Sequence, residues 1–203
     1  VNGYNVSYPI NMIKSIEEIG DIENKIIEVD TLKQNQELPK ITIIHTGGTI
    51  ASKVDYATGA VIARFEPEEL LSSIPELMNI ANIDAVKLGN MWSDDIRPQH
   101  WNMMIEACQS AFDAGSVGVV ITHGTDTLHI SAAALSFAFA GEGGRPAGRI
   151  VFTGSQRSSD RASSDATENL LSAVYWAANG PEVTGEGDAA VTVMHAGSGD
   201  GIC

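Results

Sequence analysis

The sequence predicts an α/β protein, a three-layer fold with a parallel sheet covered by helices on both faces. Three observations predict it. Short runs such as "ITIIH" (41–45) and "VGVVITHG" (117–124) are apolar and β-branched without alternation, as in strands buried on both sides. Helical segments of ten or more residues separate the runs, as parallel crossovers require. The segments that follow the runs are dense in glycine, hydroxyls and carboxylates, and open parallel sheets gather ligands beyond the carboxyl ends of their strands.

In chain order, residues 1–39 differ from the rest. "GYNVSY" reads as a short strand and "INMIKSIEEIGDIENKIIEV" as charged and helical or irregular. "TLKQNQELPK" is polar, ends beside Pro39 and reads as a linker. The α/β domain spans 40–203. "ITIIH" is its first strand. "EPEELLSSIPEL" reads as a helix with acidic residues in its first turn, where the helix dipole favours them. "IDAVKL" (83–88) is a second strand. Residues 98–113 form a helix: Pro98 suits its first turn, and Trp101, Met104, Ile105, Cys108 and Phe112 recur at helical spacing as a core stripe. After the strand at 117–124, "LHISAAALSFAFA" is a small-residue helix. "RIVFTGS" (149–155) is a strand, "SDATENLLSAVYWAAN" a helix and "AAVTVMH" (189–195) a strand.

The totals narrow the function. A net charge of −14 excludes non-specific nucleic-acid binding by the whole chain. Two cysteines, Cys108 and Cys203, make neither a disulfide framework nor a metal knuckle, which points to a reducing, cytoplasmic setting. No apolar run is long enough to span a bilayer and no signal segment opens the chain. The chain opens on Val1 and closes on "GSGDGIC" directly after an apolar run, so we expect it to be clipped at both ends.

Five loops follow the strands: "HTGGTIAS", "GNMWSDD", "THGTDT", "TGSQRSSDRASSD" and "HAGSGDG". No phosphate-binding GxxxxGK[ST] or GxGxxG occurs, and no GxSxG. The histidines are scattered. His45, His123 and His195 end strands and could approach one another, or serve as satisfied polar groups at loop edges. Threonine and carboxylate chemistry remains. Gly47 and Gly48 permit a tight turn that brings amide N–H groups to a ligand, and Thr49 projects from it. A hydroxyl needs a partner to become a nucleophile. Thr125 and Asp126 in "HGTDT" offer one, and the helix behind them can aim N–H groups at an oxyanion. The bland alternatives are a turn-capping hydroxyl for Thr49 and a helix N-cap for Asp126.

The pair "TGGTIAS" and "THGTDT" on this scaffold resembles the asparaginase/amidohydrolase family over about residues 38–195. The resemblance implies hydrolysis of asparagine or glutamine through a threonine acyl-enzyme, with no metal and no cofactor in this chain. It implies Thr49 as nucleophile and Tyr56, in "DYATG", as a lid tyrosine reaching that hydroxyl. It implies Thr125 as second catalytic threonine, with Asp126 helping to hold the substrate ammonium and orienting a lysine. Ser93 and Asp94 would grip the substrate's α-carboxylate and α-ammonium, and Gly48 and Gly124 would line the pocket. Many family members carry glutamine or glutamate where this chain has Asp94. The family lysine, and a small C-terminal domain, would follow residue 203.

"TGSQRSSDRASSDATEN" (153–169), "VDYATGAV" and "NGYNVSY" narrow the resemblance to the glutamine-hydrolysing subunits of archaeal tRNA-dependent amidotransferases, in which residues 1–39 would be the tail of an N-terminal β-barrel domain plus linker. Such a subunit is a homodimer that passes ammonia to a partner subunit (GatE), which binds Glu-tRNA(Gln) and amidates it with ATP and Mg²⁺. The alternatives are a free-standing L-asparaginase, a non-catalytic binding domain and, least supported, a phosphate-binding module. Arg157 and Arg161 equally suit ion pairs with Asp160 or Asp165 that order their loop.

Overall fold

The structure is a computed structural model that describes residues 35–54, 61–63, 74–159, 161, 163–197 and 203. In chain order its elements are β1 (Lys40–Gly47), β2 (Ser52–Val54), β3 (Val61–Ala63), β4 (Asn82–Met91), α1 (Pro98–Asp113), β5 (Gly118–Thr122), α2 (Leu128–Ala140), β6 (Arg149–Thr153), α3 (Ala166–Asn179) and β7 (Val191–Thr192). Five strands make one sheet in the order β4-β1-β5-β6-β7, and β2 and β3 form a separate antiparallel pair. Every pairing in the large sheet is parallel, as the unalternated strand runs require.

Parallel strands are buried on both faces, and the two halves of the core show it. Ile41 and Ile43 of β1, Val120 of β5 and Val151 of β6 pack with Leu170, Ala173, Val174 and Ala177 of α3. Ile44, Val119, Ile121, Ile150 and Phe152 point the other way, against Met104, Cys108 and Phe112 of α1 and Leu128, Ala132 and Leu135 of α2. Each such isoleucine or valine contributes on the order of 1.5–3 kcal/mol by leaving water. Cys108 belongs to this packing: it is fully buried, and burial pushes its thiol up to about 12. Thr42, a buried polar residue of β1, shares a 2.7 Å hydrogen bond with Ser116 Oγ, so its hydroxyl is matched.

Three elements differ from the sequence reading. The segment read as a helix over "EPEELLSSIPEL" falls mostly outside the described residues, and its end, Pro75–Asn79, is a 3-10 turn whose Leu77 enters the core. The second strand runs on to Met91, because Gly47 has no side chain to hold Met91 away: a Cβ on Gly47 would collide with the Met91 carbonyl oxygen. The last strand pairs only at 191–192. Among the described residues it pairs with β6 alone; after Val193 N–H bonds Phe152 O at 3.0 Å, His195 N–H goes to the Asn169 side chain at 2.8 Å.

The strand order sets where a ligand fits. Leaving β1, the chain goes to β4 on one side; leaving β5, it goes to β6 on the other. β1 and β5 are neighbours in register from Ile41↔Gly118 to His45↔Thr122. Their outgoing loops therefore diverge over a crevice at the carboxyl edge, the topological switch point of an open α/β sheet.

Candidate active site

Gly47 and Gly48 lie at that switch point, with φ +136° and +88°. Side chains rarely adopt either value. The turn is closed tightly against β5. A Cβ on Gly48 would stand 2.6 Å from Gly124 N and 2.7 Å from His123 C, so at this point backbone meets backbone. Thr49 follows at once, opens a 3-10 turn (Thr49–Ala51) and is partly exposed. Ile50 is buried with Ile41 and Ile43 and anchors the turn.

The second threonine motif sits on the other side of this contact. Gly124 meets Gly48, and Thr125 is the next residue, so each motif threonine directly follows a glycine of the contact. The loop after β4 closes in as well: a Cβ on Gly124 would fall 2.8 Å from Ser93 Cβ, and Thr127 Oγ1 donates to Ser93 O at 2.8 Å. Ser93 is buried and Asp94 exposed within a 3-10 turn (Ser93–Asp95). Arg97 braces that turn by donating to Asp94 O and Ile96 O at 2.6 and 2.8 Å. The loop after β6 completes the ring, since a Cβ on Gly154 would reach Thr125 Cγ2 at 3.1 Å. The structure thus packs Gly48, Ser93 and Gly124 together where three loops meet, and Thr49, Asp94, Thr125 and Asp126 are their chain neighbours on those loops. Tyr56 lies outside the described residues.

Asp126 is no helix N-cap. That position in α2 belongs to Thr127, whose hydroxyl has gone to Ser93, while Asp126 stands exposed in the preceding turn.

The three strand-end histidines form no cluster. His45 pairs with Thr122 in the β1–β5 register, so His123, one residue further, turns to the opposite face. His45 Nε2 meets Asn90 Oδ1 at 3.1 Å and Nδ1 meets Thr122 Oγ1 at 2.8 Å. An amide oxygen only accepts, so Nε2 carries the proton and Nδ1 receives that of Thr122. Thr46 Oγ1 in turn donates to Thr122 O at 2.9 Å, which ties β1 to β5 just below the glycine turn. His123 instead meets Ser131 and its own neighbour's carbonyl. His195 faces Asp165 at 3.1 Å. Among the described residues no group of three histidine, cysteine, aspartate or glutamate side chains could hold a metal ion.

The long loop after β6 is ordered by Asp165. Its carboxylate accepts the N–H groups of Gln156 and Arg157 at 2.9–3.1 Å as well as facing His195. Asp160 lies outside the described residues. Asn169, fully buried on α3, donates to Gly154 O at 2.9 Å and to Asp165 at 3.0 Å. With its acceptance of His195 N–H, one amide joins the loops after β6 and β7.

His45 has a testable consequence. Burial is the largest cause that lowers its pKa to about 4; Lys87 lowers it further, and the Asn90 bond opposes both. The unfolded chain therefore binds this proton more readily between pH 6.5 and about 4. Stability from neutral His45 is fully present above the unfolded value and is lost as pH falls through that window, by about 3 kcal/mol in all. Urea midpoints between pH 7 and 4.5 should fall less steeply for His45→Gln than for the parent chain. Equal slopes would show that His45 is not held neutral.

Comparison with known proteins agrees with this fold. The family model described as "Asparaginase, N-terminal" matches residues 40–197. The chain belongs to the asparaginase family. Among curated relatives it is 41% identical over its whole length to the GatD subunit of glutamyl-tRNA(Gln) amidotransferase from Pyrococcus abyssi, covering 44% of that protein. It is 45% identical to the protein of the same name from Archaeoglobus fulgidus, again over the whole chain and 45% of the relative. The Methanococcus maripaludis strain C7 protein of that name is 43% identical, with 46% covered. The chain thus spans about half the length of the curated relatives it matches. Among solved structures, a probable cytoplasmic L-asparaginase from Campylobacter jejuni superposes with a TM-score of 0.64 at 28% identity, over 76% of this chain and 45% of that one.

Proposed function

We propose that this chain carries the amide-hydrolysing part of a glutamyl-tRNA(Gln) amidotransferase, taking ammonia from glutamine. The observation that carries this reading is the reach of the likeness. The relatives of that name align with the whole chain, residues 1–39 included, whereas the asparaginase structure covers 76% of it.

In this reading the Thr49 hydroxyl attacks the carboxamide carbon. The tetrahedral oxyanion collapses, ammonia leaves with the proton taken from the hydroxyl, and water hydrolyses the γ-glutamyl ester. Thr125 serves proton transfer from the facing turn, Asp126 helps to hold the α-ammonium, and Tyr56 has the lid role that the resemblance implies. Ser93 and Asp94 hold the α-carboxylate and α-ammonium beside the Gly48–Gly124 contact. Ammonia then goes to a GatE-like partner that binds Glu-tRNA(Gln), ATP and Mg²⁺, in the cytoplasm, with this chain as a homodimer. No described helix is long and apolar enough to cross a membrane.

Glutamine and asparagine differ by one methylene, a discrimination of roughly 1–3 kcal/mol in a pocket, so the test must measure both. In the full-length protein, glutamine turnover should rise when the partner and Glu-tRNA(Gln) are added. Rapid asparagine turnover that ignores both would favour the free-standing asparaginase.

A further inference from the structure

We propose that Trp101, Ser131 and His123 form a positioning relay that sets the peptide plane between Gly124 and Thr125 and so aims the Thr125 N–H into the crevice, at the oxygen of the carboxamide under attack. The proposal rests on the hydrolytic reading above and adds to it three residues that touch no substrate.

The relay runs through the α1–α2 side of the core. Trp101 Nε1 of α1 donates to Ser131 Oγ of α2 at 3.0 Å. Ser131 Oγ stands 2.9 Å from His123 Nε2, and His123 Nδ1 stands 2.8 Å from Gly124 O. Chemistry allows one sense of travel. The indole N–H can only donate and the carbonyl can only accept. Gly124 O therefore requires the proton on Nδ1, neutral imidazole leaves a lone pair on Nε2, and Ser131 gives its proton there while accepting from Trp101. Ser131 and His123 are both fully buried. Burial also lowers the His123 pKa, which favours the neutral ring the relay needs. The edge of the His123 ring packs on Phe152, with centroids 5.9 Å apart.

The carbonyl is the informative end. In a trans peptide C=O and N–H point in opposite directions, and no cis bond is present among the described residues. Holding Gly124 O against a buried ring turns the Thr125 N–H away from that ring and its helix layer. The turn is clamped elsewhere by backbone alone: His123 N–H bonds Thr153 O at 2.9 Å, Gly48 abuts Gly124, and Gly154 abuts His123 O. Those contacts fix where the turn lies, while the relay fixes the rotation of one peptide plane. A donor aimed at a developing oxyanion acts on the transition state more than on bound substrate, so its misalignment lowers kcat and spares KM.

The test uses the full-length protein with Ser131→Ala, and with Trp101→Phe, which keeps an aromatic ring and deletes the N–H. Three readouts are taken: kcat and KM for glutamine, the thermal midpoint, and the His123 tautomer by ¹⁵N NMR. We expect the Nδ1–H tautomer in the parent. Ser131→Ala should lower kcat about tenfold with KM within about twofold and should mix the tautomers, and Trp101→Phe should act in the same direction more weakly. Folded variants with unchanged kcat, or a parent whose His123 carries its proton on Nε2, would overturn the relay. A parent that hydrolyses no carboxamide would instead overturn the functional reading, and the aim assigned to Thr125 with it.

Discussion

Thr49→Val, placed in the full-length protein, will lower glutamine hydrolysis by about 10³-fold or more and leave the folded chain otherwise intact. Valine keeps the branched shape and deletes the oxygen, so the substitution isolates the nucleophile. The site tolerates the swap because Thr49 is only partly buried and its turn is held by Ile50 in the core and by Gly48 against β5. Substrate binding should persist, since the groups proposed for the α-carboxylate and α-ammonium, Ser93 and Asp94, sit on another loop. A variant with near-parental kcat would remove Thr49 from the chemistry.

Gly48→Ala should be nearly as damaging for a different reason. The new methyl would stand 2.6 Å from Gly124 N and 2.7 Å from His123 C. Both are backbone atoms, so no side chain can rotate out of its way, and the φ of +88° adds strain. Together these cost about 3 kcal/mol of stability, and they pry apart the two turns whose contact defines the crevice, so kcat should fall about 10²-fold or more. Gly115→Ala is the matched control. Gly115 has φ +90° and nothing within 4 Å of a built Cβ, so it bears strain of about 1 kcal/mol without the clash. Urea unfolding of both variants separates the two effects. If they lose the same stability, the close approach of the turns is not what Gly48 provides.

Much of this arrangement is legible in the residues. The β-branched run at 41–45 and the apolar run before His123 identify buried parallel strands, and the stripe from Trp101 to Phe112 identifies α1. Gly47 and Gly48 announce a turn that other residues resist. The strand order is not legible. Nothing local in β4 or β5 says on which side of β1 each will lie, yet that choice creates the switch point. Side-chain partners are hidden for a related reason. Trp101 reads as one more apolar residue of a stripe and Ser131 as one more small residue of α2; only packing of α1 on α2 reveals that both are polar links to His123. Asp126 misleads in the other direction, because its spacing suits a cap and the helix starts one residue later. The short pairing of β7 cannot be anticipated from "AAVTVMH", where apolar content is high, yet the chain turns away after Val193 and gives the His195 N–H to Asn169.

The proposed chemistry needs the two threonine turns to meet across the β1–β5 crevice and the first of them to supply the nucleophile. The most direct measurement treats the full-length protein with a glutamine analogue bearing an electrophilic diazoketone in place of its carboxamide, then maps the labelled residue by peptide mass spectrometry. A single adduct on the oxygen of Thr49 is expected. An adduct on Thr125, or on any residue outside the crevice, would contradict it.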